Sequence, residues 1–454
     1  MKIVVVGCGK IGKTIISSLV NERHEVAAID TDQKVVEDVR TAYDIIALCG
    51  SGTEYSDLKE AGIEKTELFI AVTGSDELNM LSCFLAKRMG AKHTVARIRD
   101  IENNDANLSF MKDELDLSMS INPERMTAEA IYNLIKLPSA TKVEHFSNSP
   151  LEMIEVTVRN DSHLDGISLI DLRKNNKEKF LVGTVLRNGT MFVPNGSFTI
   201  QTGDKLGIIV SKKDAPKVLS IMGANHISVK NVMILGAGTI SNYLAKLLLN
   251  SKHNVKLIDN DKEVCKEVCS DLPDNATVIY GDGMKQELLI EEGILSTDAF
   301  VALTGTDEKN ILISFYAVSQ NVPKVITKVN SDELANIADN LGLNSMITPK
   351  KIVADVIVQY ARALEKSIDS QIETLYSIMN GCAEAIEFKV LPDFEYINVP
   401  IKEMKLHDNI LIAGITRSNT AIIPNGEDVI LPGDRVIIIA EGKRIVSLSE
   451  IIQR

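Results

Sequence analysis

The segment Gly7-Cys8-Gly9-Lys10-Ile11 returns as Gly236-Ala237-Gly238-Thr239-Ile240, and Asp30-Thr31-Asp32 returns as Asp259-Asn260-Asp261. Further along, Val72-Thr73-Gly74-Ser75-Asp76-Glu77 is answered by Leu303-Thr304-Gly305-Thr306-Asp307-Glu308, and Val193-Pro194-Asn195-Gly196 by Ile423-Pro424-Asn425-Gly426. A chain that repeats itself at an offset of about 230 residues must fold as two copies of one architecture. The matches cross two stretches of different texture, so each copy holds two subdomains.

In the first part of each copy, short Val/Ile-rich runs alternate with amphipathic helical segments, the rhythm of a mainly parallel, doubly wound α/β sheet. Strands are expected near residues 2–6, 25–30, 45–48, 68–72 and 94–97, and again near 231–235, 254–258, 277–280, 299–303 and 324–328. Helices are expected over segments such as Asp76–Met89 and Lys309–Ser319. Beyond Pro150 and Met379 the pattern becomes short strands with turns at Arg187-Asn188-Gly189 and Arg417-Ser418-Asn419, which predicts small α+β modules. A helical stretch and the Gly223-Ala224-Asn225 turn mark the junction between copies. The boundaries are therefore placed at 1–138, 139–225, 229–366 and 367–454: a Rossmann-like domain and a small C-terminal subdomain, twice.

Composition narrows the function classes. A formal net charge of -13 argues against a grip on nucleic acid, whose non-specific binding comes from clustered Lys and Arg. The apolar runs Ile3–Val6, Val232–Leu235 and Val436–Ala440 are far shorter than the roughly 20 residues of a spanning helix, so any membrane contact is expected to go through a partner protein. The first strand begins at Lys2 with no apolar leader before it, which points to the cytoplasm. Six cysteines lack zinc or CxxC spacing, and Cys265 and Cys269 stand at i, i+4 on one helix face; no metal site is expected.

Gly7-x-Gly9-x-x-Gly12 follows a strand and opens a helix, the context in which such a loop holds a pyrophosphate. Gly7 permits the tight turn, Gly9 lets phosphate approach the backbone, and Gly12 lets helix and strand pack closely. Cys8, Lys10 and Ile11 complete the loop. Asp30, at the end of the second strand, can accept both ribose hydroxyls and disfavours a 2′-phosphate. A plain strand-to-helix turn would explain the glycines alone, but not the glycines together with Asp30. Thr31 and Asp32 lie beside it, although a solvated turn acid explains Asp32 equally well. The second copy offers Gly236, Ala237, Gly238, Thr239, Ile240, Asp259 and Asp261 in the same places.

Gly52 and Thr53 follow the third strand, as Gly281 and Asp282 do in the second copy; an adenine ring could lie against that loop, and a simple turn would also account for it. Ser75, Asp76 and Glu77 read as a helix cap with favourable first-turn acids. Thr73 and its counterpart Thr304 border the phosphate crevice at the switch point of the sheet. Arg97 and its counterpart Lys328 end the fifth strand, where Arg97 could pair with phosphate or form a surface salt bridge.

With both copies aligned, the pattern resembles the TrkA family of potassium-uptake regulators, which carry two regulator-of-potassium-conductance (RCK) repeats in tandem. Ala71-Val72-Thr73-Gly74-Ser75-Asp76-Glu77-Leu78-Asn79, Thr94-Val95-Ala96-Arg97-Ile98-Arg99-Asp100 and Phe192-Val193-Pro194-Asn195-Gly196 are close to the family form, and the resemblance spans the chain. It implies a non-enzymatic, nucleotide-binding regulatory subunit on the inner face of the cell membrane. It also implies NAD(H) or ATP/ADP as ligand, a homo-oligomer, typically a tetramer, and a membrane potassium-translocating partner of the TrkH type. Departures fall in the second copy, where Gly12 is answered by Ser241, Arg97 by Lys328 and Arg99 by Asn330.

The rival reading is an NAD-dependent oxidoreductase. It would need a general acid or base beside the nicotinamide. His24 and His253 occupy equivalent positions, but both precede the second strand and so belong to the opposite end of the sheet. A DNA-binding repressor would need a basic recognition element, and the composition supplies none.

Overall fold

The computed structural model describes residues 1–99, 114–146, 149–159, 162–223, 228–273, 275–365, 372–379, 382–442, 445 and 447–453. Asp100, Ala224, Asn225 and the boundary positions 366 and 367 lie outside them. By contacts the chain divides into one unit of Met1–Ala128 with Thr348–Glu365 and another of Glu129–Ile347 with Lys366–Arg454.

The first unit carries a six-stranded sheet of β1 (Lys2–Val6), β2 (Glu25–Asp30), β3 (Ile46–Cys49), β4 (Leu68–Ala71), β5 (His93–Arg97) and β6 (Met119–Ile121). Its order is β3-β2-β1-β4-β5-β6, with each neighbouring pair parallel. Between strands run α1 (Lys10–Asn21), α2 (Gln33–Tyr43), α3 (Tyr55–Glu60) and α4 (Asp76–Arg88); α5 (Pro123–Lys136) follows β6. The period-2 alternation of each strand divides the core in two. Ile3, Val5, Leu68 and Ile70 meet the buried sides of α1 and α2, while Val4, Val6, Phe69 and Ala71 meet those of α3 and α4. Strands buried on both faces must be apolar throughout, which is why they read as unbroken Val/Ile/Leu/Ala runs.

One helix of this unit comes from far along the chain. Val353, Ala354, Ile357 and Ala361 of the helix Pro349–Leu364 join the α1 side of the core, and Arg362 donates from Nε and Nη2 to the two carboxylate oxygens of Glu22.

The second unit contains the second Rossmann-like sheet: β12 (Asn231–Leu235), β13 (Asn254–Asp259), β14 (Thr277–Tyr280), β15 (Ala299–Ala302), β16 (Lys324–Lys328) and β17 (Met346–Ile347), ordered β14-β13-β12-β15-β16-β17. It also contains two five-stranded antiparallel sheets. The first comprises β7 (Lys142–His145), β8 (Leu151–Thr157), β9 (Phe180–Arg187), β10 (Thr190–Phe192) and β11 (Lys205–Ser211), ordered β10-β9-β11-β8-β7. The other comprises β18 (Ile372–Ile378), β19 (Ala383–Lys389), β20 (Ile410–Arg417), β21 (Thr420–Ile422) and β22 (Arg435–Glu441), ordered β18-β19-β22-β20-β21. These are one topology used twice.

Asn188 and Gly189, with φ of 50° and 78°, make the left-handed two-residue turn expected between β9 and β10; Ser418 and Asn419, at 48° and 63°, do the same between β20 and β21. Short helices Leu169–Lys174 and Ala215–Ile221 accompany the first sheet, whereas the second is accompanied by 3₁₀ turns at Ile401–Glu403 and Leu448–Ile451. The two small modules share one apolar cluster that includes Leu151, Met153, Ile209, Ala385, Ile437 and Ile439. A glycine in each module admits the neighbour's side chain: a Cβ on Gly183 of β9 would lie 2.4 Å from Ile439 Cδ1, and one on Gly414 of β20 would lie 2.6 Å from Leu151 Cδ1. The two copies thus complete each other's burial within one chain.

Candidate nucleotide sites

Strand order 3-2-1-4-5-6 places a crevice where the connections from β1 and β4 diverge, at the carboxyl ends of the strands. Gly7, Asp30, Gly52, Thr73 and Arg97 all fall at that edge, as do Gly236, Asp259, Gly281, Thr304 and Lys328 in the second sheet. The sequence-predicted residues are therefore brought together in two equivalent places.

Gly7 adopts φ +92°, and a Cβ there would meet Thr73 N and Val72 C at 2.9 Å. Gly9 is exposed, with nothing within 4 Å of a Cβ position, so its outer side is open to a ligand. At Gly12 a Cβ would lie 1.9 Å from the Gly7 carbonyl oxygen. That contact is backbone to backbone, and only a shift of α1 would relieve it.

The loop is tied to the second strand by a carboxylate. Asp30 Oδ2 accepts the Cys8 N–H at 2.6 Å and Oδ1 accepts the Asp32 N–H at 3.0 Å. In the second copy Asp259 accepts from Ala237 at 2.7 Å and from Asp261 at 2.9 Å. Each carboxylate thus anchors the glycine loop while keeping further lone pairs free to accept. The Cys8 thiol is buried and donates toward the Ile29 carbonyl; burial first, and then the Asp30 charge, pushes its pKa up to about 12. It stays a thiol.

The helix starts differ in a telling way. Asp32 caps α2, accepting from Lys34 and Val35 at 2.8 and 3.3 Å, and Asp261 caps its own helix likewise. Ser75 caps α4 through Leu78. The helices opening at Gly9 and Gly238 have no side-chain cap and no acid in their first turn. Their leading N–H groups lack intrahelical acceptors and face the crevice, an arrangement that favours an anion. Thr31 and Lys10 are exposed at the rim and Ile11 is half-buried; Thr239 and Ile240 repeat the positions of Lys10 and Ile11.

The third-strand loop closes the inner wall. A Cβ on Gly52 would meet Val6 Cγ1 at 2.5 Å and one on Gly283 would meet Leu235 Cδ1 at 2.0 Å, so both loops lie hard against the end of the central strand. Thr53 exchanges a hydroxyl contact of 2.8 Å with Ser51, while Asp282 accepts from the Met284 N–H at 3.1 Å.

Two expectations are modified by the geometry. Asp76 does more than charge the first turn of α4: its Oδ2 accepts the Arg99 N–H at 2.6 Å, as Asp307 accepts that of Asn330 at 2.8 Å. Arg97 turns its Nη2 to Glu124 Oε1 at 2.8 Å, with the two side chains only 14% and 21% exposed. It is engaged by α5 rather than open to the crevice, and a phosphate would have to draw it from that carboxylate. The second copy has Lys350 at the corresponding place, after Thr348-Pro349 as Glu124 stands after Asn122-Pro123. Lys328 itself lies 3.4 Å from the Leu303 carbonyl.

Asn79 and Asn310 were visible in the sequence only as one more matched pair. Asn79 is fully buried, and its Oδ1 accepts both the Thr73 N–H at 2.8 Å and the Thr73 hydroxyl at 2.7 Å, while its Nδ2 donates to the Arg97 carbonyl at 2.9 Å. Asn310 repeats this with Thr304 and Lys328 at 2.9, 2.6 and 3.0 Å. The amide bridges the ends of two adjacent strands, so Thr73 shapes the crevice wall instead of offering a free hydroxyl. Asn79→Ala is expected to cost about 3 kcal/mol, because it strands a buried N–H and a buried carbonyl. Urea denaturation checks this, and a loss below about 1 kcal/mol would remove the bridge from the account.

Neither histidine reaches the crevice. His24, before β2, is buried with Nδ1 3.1 Å from Glu365, and His253 Nδ1 lies 3.1 Å from the Leu248 carbonyl. Among the described residues no helix is long and apolar enough to cross a membrane.

The TrkA-N domain model matches residues 3–112 and 232–349, and the TrkA-C domain model matches 153–223 and 385–453. The chain is 30% identical over 453 residues to a Trk system potassium uptake protein TrkA homolog of Archaeoglobus fulgidus, covering 100% of both chains. It is 27% identical over 460 residues to the Trk system potassium uptake protein TrkA of Haemophilus influenzae, covering 100% of this chain and 99% of that one. Among solved structures, the GsuK RCK domain aligns with a TM-score of 0.63 at 15% identity, covering 97% of this chain and 92% of that one. A GsuK channel bound to NAD aligns with the same score at 16% identity, covering 97% and 77%. At such identities the likeness establishes the shared fold.

Proposed function

The chain belongs to the TrkA family of Trk system potassium uptake proteins, and from that membership we propose that it is the nucleotide-responsive gating subunit of a potassium transporter. The observation that carries the reading is the twice-built combination of an uncapped helix start, a glycine loop and a strand-end carboxylate, each joined to a small antiparallel module. The family is named for potassium uptake and not for a reaction, so the chain is read as a switch.

NAD(H) or ATP/ADP is the proposed ligand. Gly7, Gly9 and Gly12 would carry the pyrophosphate with Lys10 and Ile11, Asp30 the ribose, and the loop at Gly52 and Thr53 one face of the base; the second copy would use Gly236, Gly238, Asp259 and the Gly281–Asp282 loop. The residues fit such a group, since the open side of Gly9 and the uncapped N–H groups suit an anion that no side chain among the described residues supplies. The free 2′-OH that Asp30 favours supports NAD over NADP.

The subdomain division proposed is 1–138, 139–225, 229–366 and 367–454. The assembly proposed is a homotetrameric ring on the cytoplasmic face of the membrane beneath a TrkH-type subunit. A ligand can bias such a ring only by preferring one of its conformations, and each tenfold preference supplies about 1.4 kcal/mol per site.

A strain lacking this gene and any second copy is expected to lose most potassium uptake at sub-millimolar external potassium and to grow poorly there. Complementation with the wild-type gene restores both. Rubidium uptake measures the effect, and unchanged uptake in the deletion strain would overturn the assignment.

A further inference from the structure

A lysine that the nucleotide sites do not use is buried at the N-terminal end of β16. Lys324 is 3% exposed, and its Nζ donates to the Ala140 carbonyl at 2.6 Å and to Ser345 Oγ at 2.8 Å. Neither acceptor is charged. Buried lysines are ordinarily paired with carboxylates, because an isolated ammonium is costly to take from water.

Ala140 approaches from the chain leading into β7, and Ser345 from the approach to β17. Arg159, after the end of β8, acts on the amine with the same sign of charge. Asp298, before the neighbouring strand β15, spends its Oδ2 on the Lys230 and Asn231 N–H groups at 2.9 and 2.8 Å. An ammonium would bring three donors to two acceptors, whereas a neutral amine brings two. Burial, reinforced by Arg159, correspondingly draws the pKa down to about 7.

The two acceptors lie on opposite sides of a seam. Ala140 is fully buried in the core of the first small module, while Lys324 opens β16 of the second Rossmann sheet and Ser345 immediately precedes its β17. One other tie crosses nearby, the ion pair from Lys205 of β11 to Asp339 at 2.6 and 2.8 Å. The first copy has His93 at the register position of Lys324, half-exposed and edge-on to Tyr360. The buried amine is therefore a feature of one copy alone.

We propose that Lys324 is a proton-operated latch: as a neutral amine it pins the first small module to the second Rossmann sheet, and uptake of one proton releases Ala140 and opens that seam.

The sign follows from linkage. A lysine released to water holds its proton up to about pH 10.4, whereas the latched amine takes one only near pH 7, so opening consumes a proton between those limits. Stability of the seam is greatest above the upper limit, falls as pH is lowered, and levels off below about pH 7. The opening constant should rise about tenfold per pH unit on going from pH 9 to pH 8.

Hydrogen exchange of the full chain, corrected for intrinsic rates, reads this in peptides spanning 137–143 and 341–347. The expected result is that slope, absent in Lys324→Met. A wild-type seam with no such pH dependence, or the same dependence in Lys324→Met, would overturn the latch. NMR of the wild-type chain labelled at lysine Cε supplies a second measurement that needs no variant. One lysine titrating near pH 7 is expected, and none below pH 9 would defeat the proposal.

Discussion

Asp30→Ala is expected to abolish tight nucleotide binding at the first site. The carboxylate does two things at once: it would receive the ribose hydroxyls, and it holds the Cys8 and Asp32 N–H groups at 2.6 and 3.0 Å. Hydrogen bonds to a charged group contribute about 1.5–3 kcal/mol each, so losing one such ligand contact and the loop's anchor should weaken binding by about 100-fold or more. Calorimetry with NADH and with ATP measures this directly. Asp259→Ala should remove a weaker phase, since the second site pairs an equally well-held carboxylate with a less favourable loop. Unchanged affinity in Asp30→Ala would displace the ligand from the crevice altogether, while equal losses in the two variants would leave the sites in place and refute their inequality.

Much of this arrangement was legible because it rests on local rules. The central strands are unbroken apolar runs, the glycine loop follows one of them, and Asp30 ends the next. Even the edges of β1, β12, β14 and β16 coincide with the expected ones. What was missed depends on contacts distant in sequence. β17 has only two residues, Met346–Ile347, and carries no periodicity of its own. The helix Pro349–Leu364 has an apolar stripe, but nothing in that stripe says that it will cover α1. Arg97 read equally well as a phosphate ligand or as half of a salt bridge, and the choice was made by Glu124, 27 residues away in sequence. Asn79 had no assigned role in the sequence, because its amide acts by spanning Thr73 and Arg97, the latter 18 residues away. Lys324 resembled the first residue of any strand, and only the far side of the seam makes it unusual.

Gly12→Ser should be far more damaging than its mirror substitution, Ser241→Gly. The new Cβ would stand 1.9 Å from the Gly7 carbonyl oxygen and 2.9 Å from its carbon, and neither atom can move without dragging the phosphate loop. Relief requires α1 to withdraw from the end of β1, and overpacking of this kind costs about 3 kcal/mol. The same withdrawal carries the uncapped N–H groups away from the phosphate, so affinity at the first site should fall at least roughly tenfold. In the second copy the helix already accommodates Ser241, which is 1% exposed and whose hydroxyl has no hydrogen-bond partner among the described residues. Removing a buried, unsatisfied hydroxyl returns about 1–3 kcal/mol, which offsets the ~1 kcal/mol that glycine costs a helix. Ser241→Gly should therefore leave stability between that of wild type and about 2 kcal/mol above it. Denaturation and calorimetry on the two variants together make the comparison, and a mild Gly12→Ser would mean that α1 can yield, removing the packing basis for unequal sites.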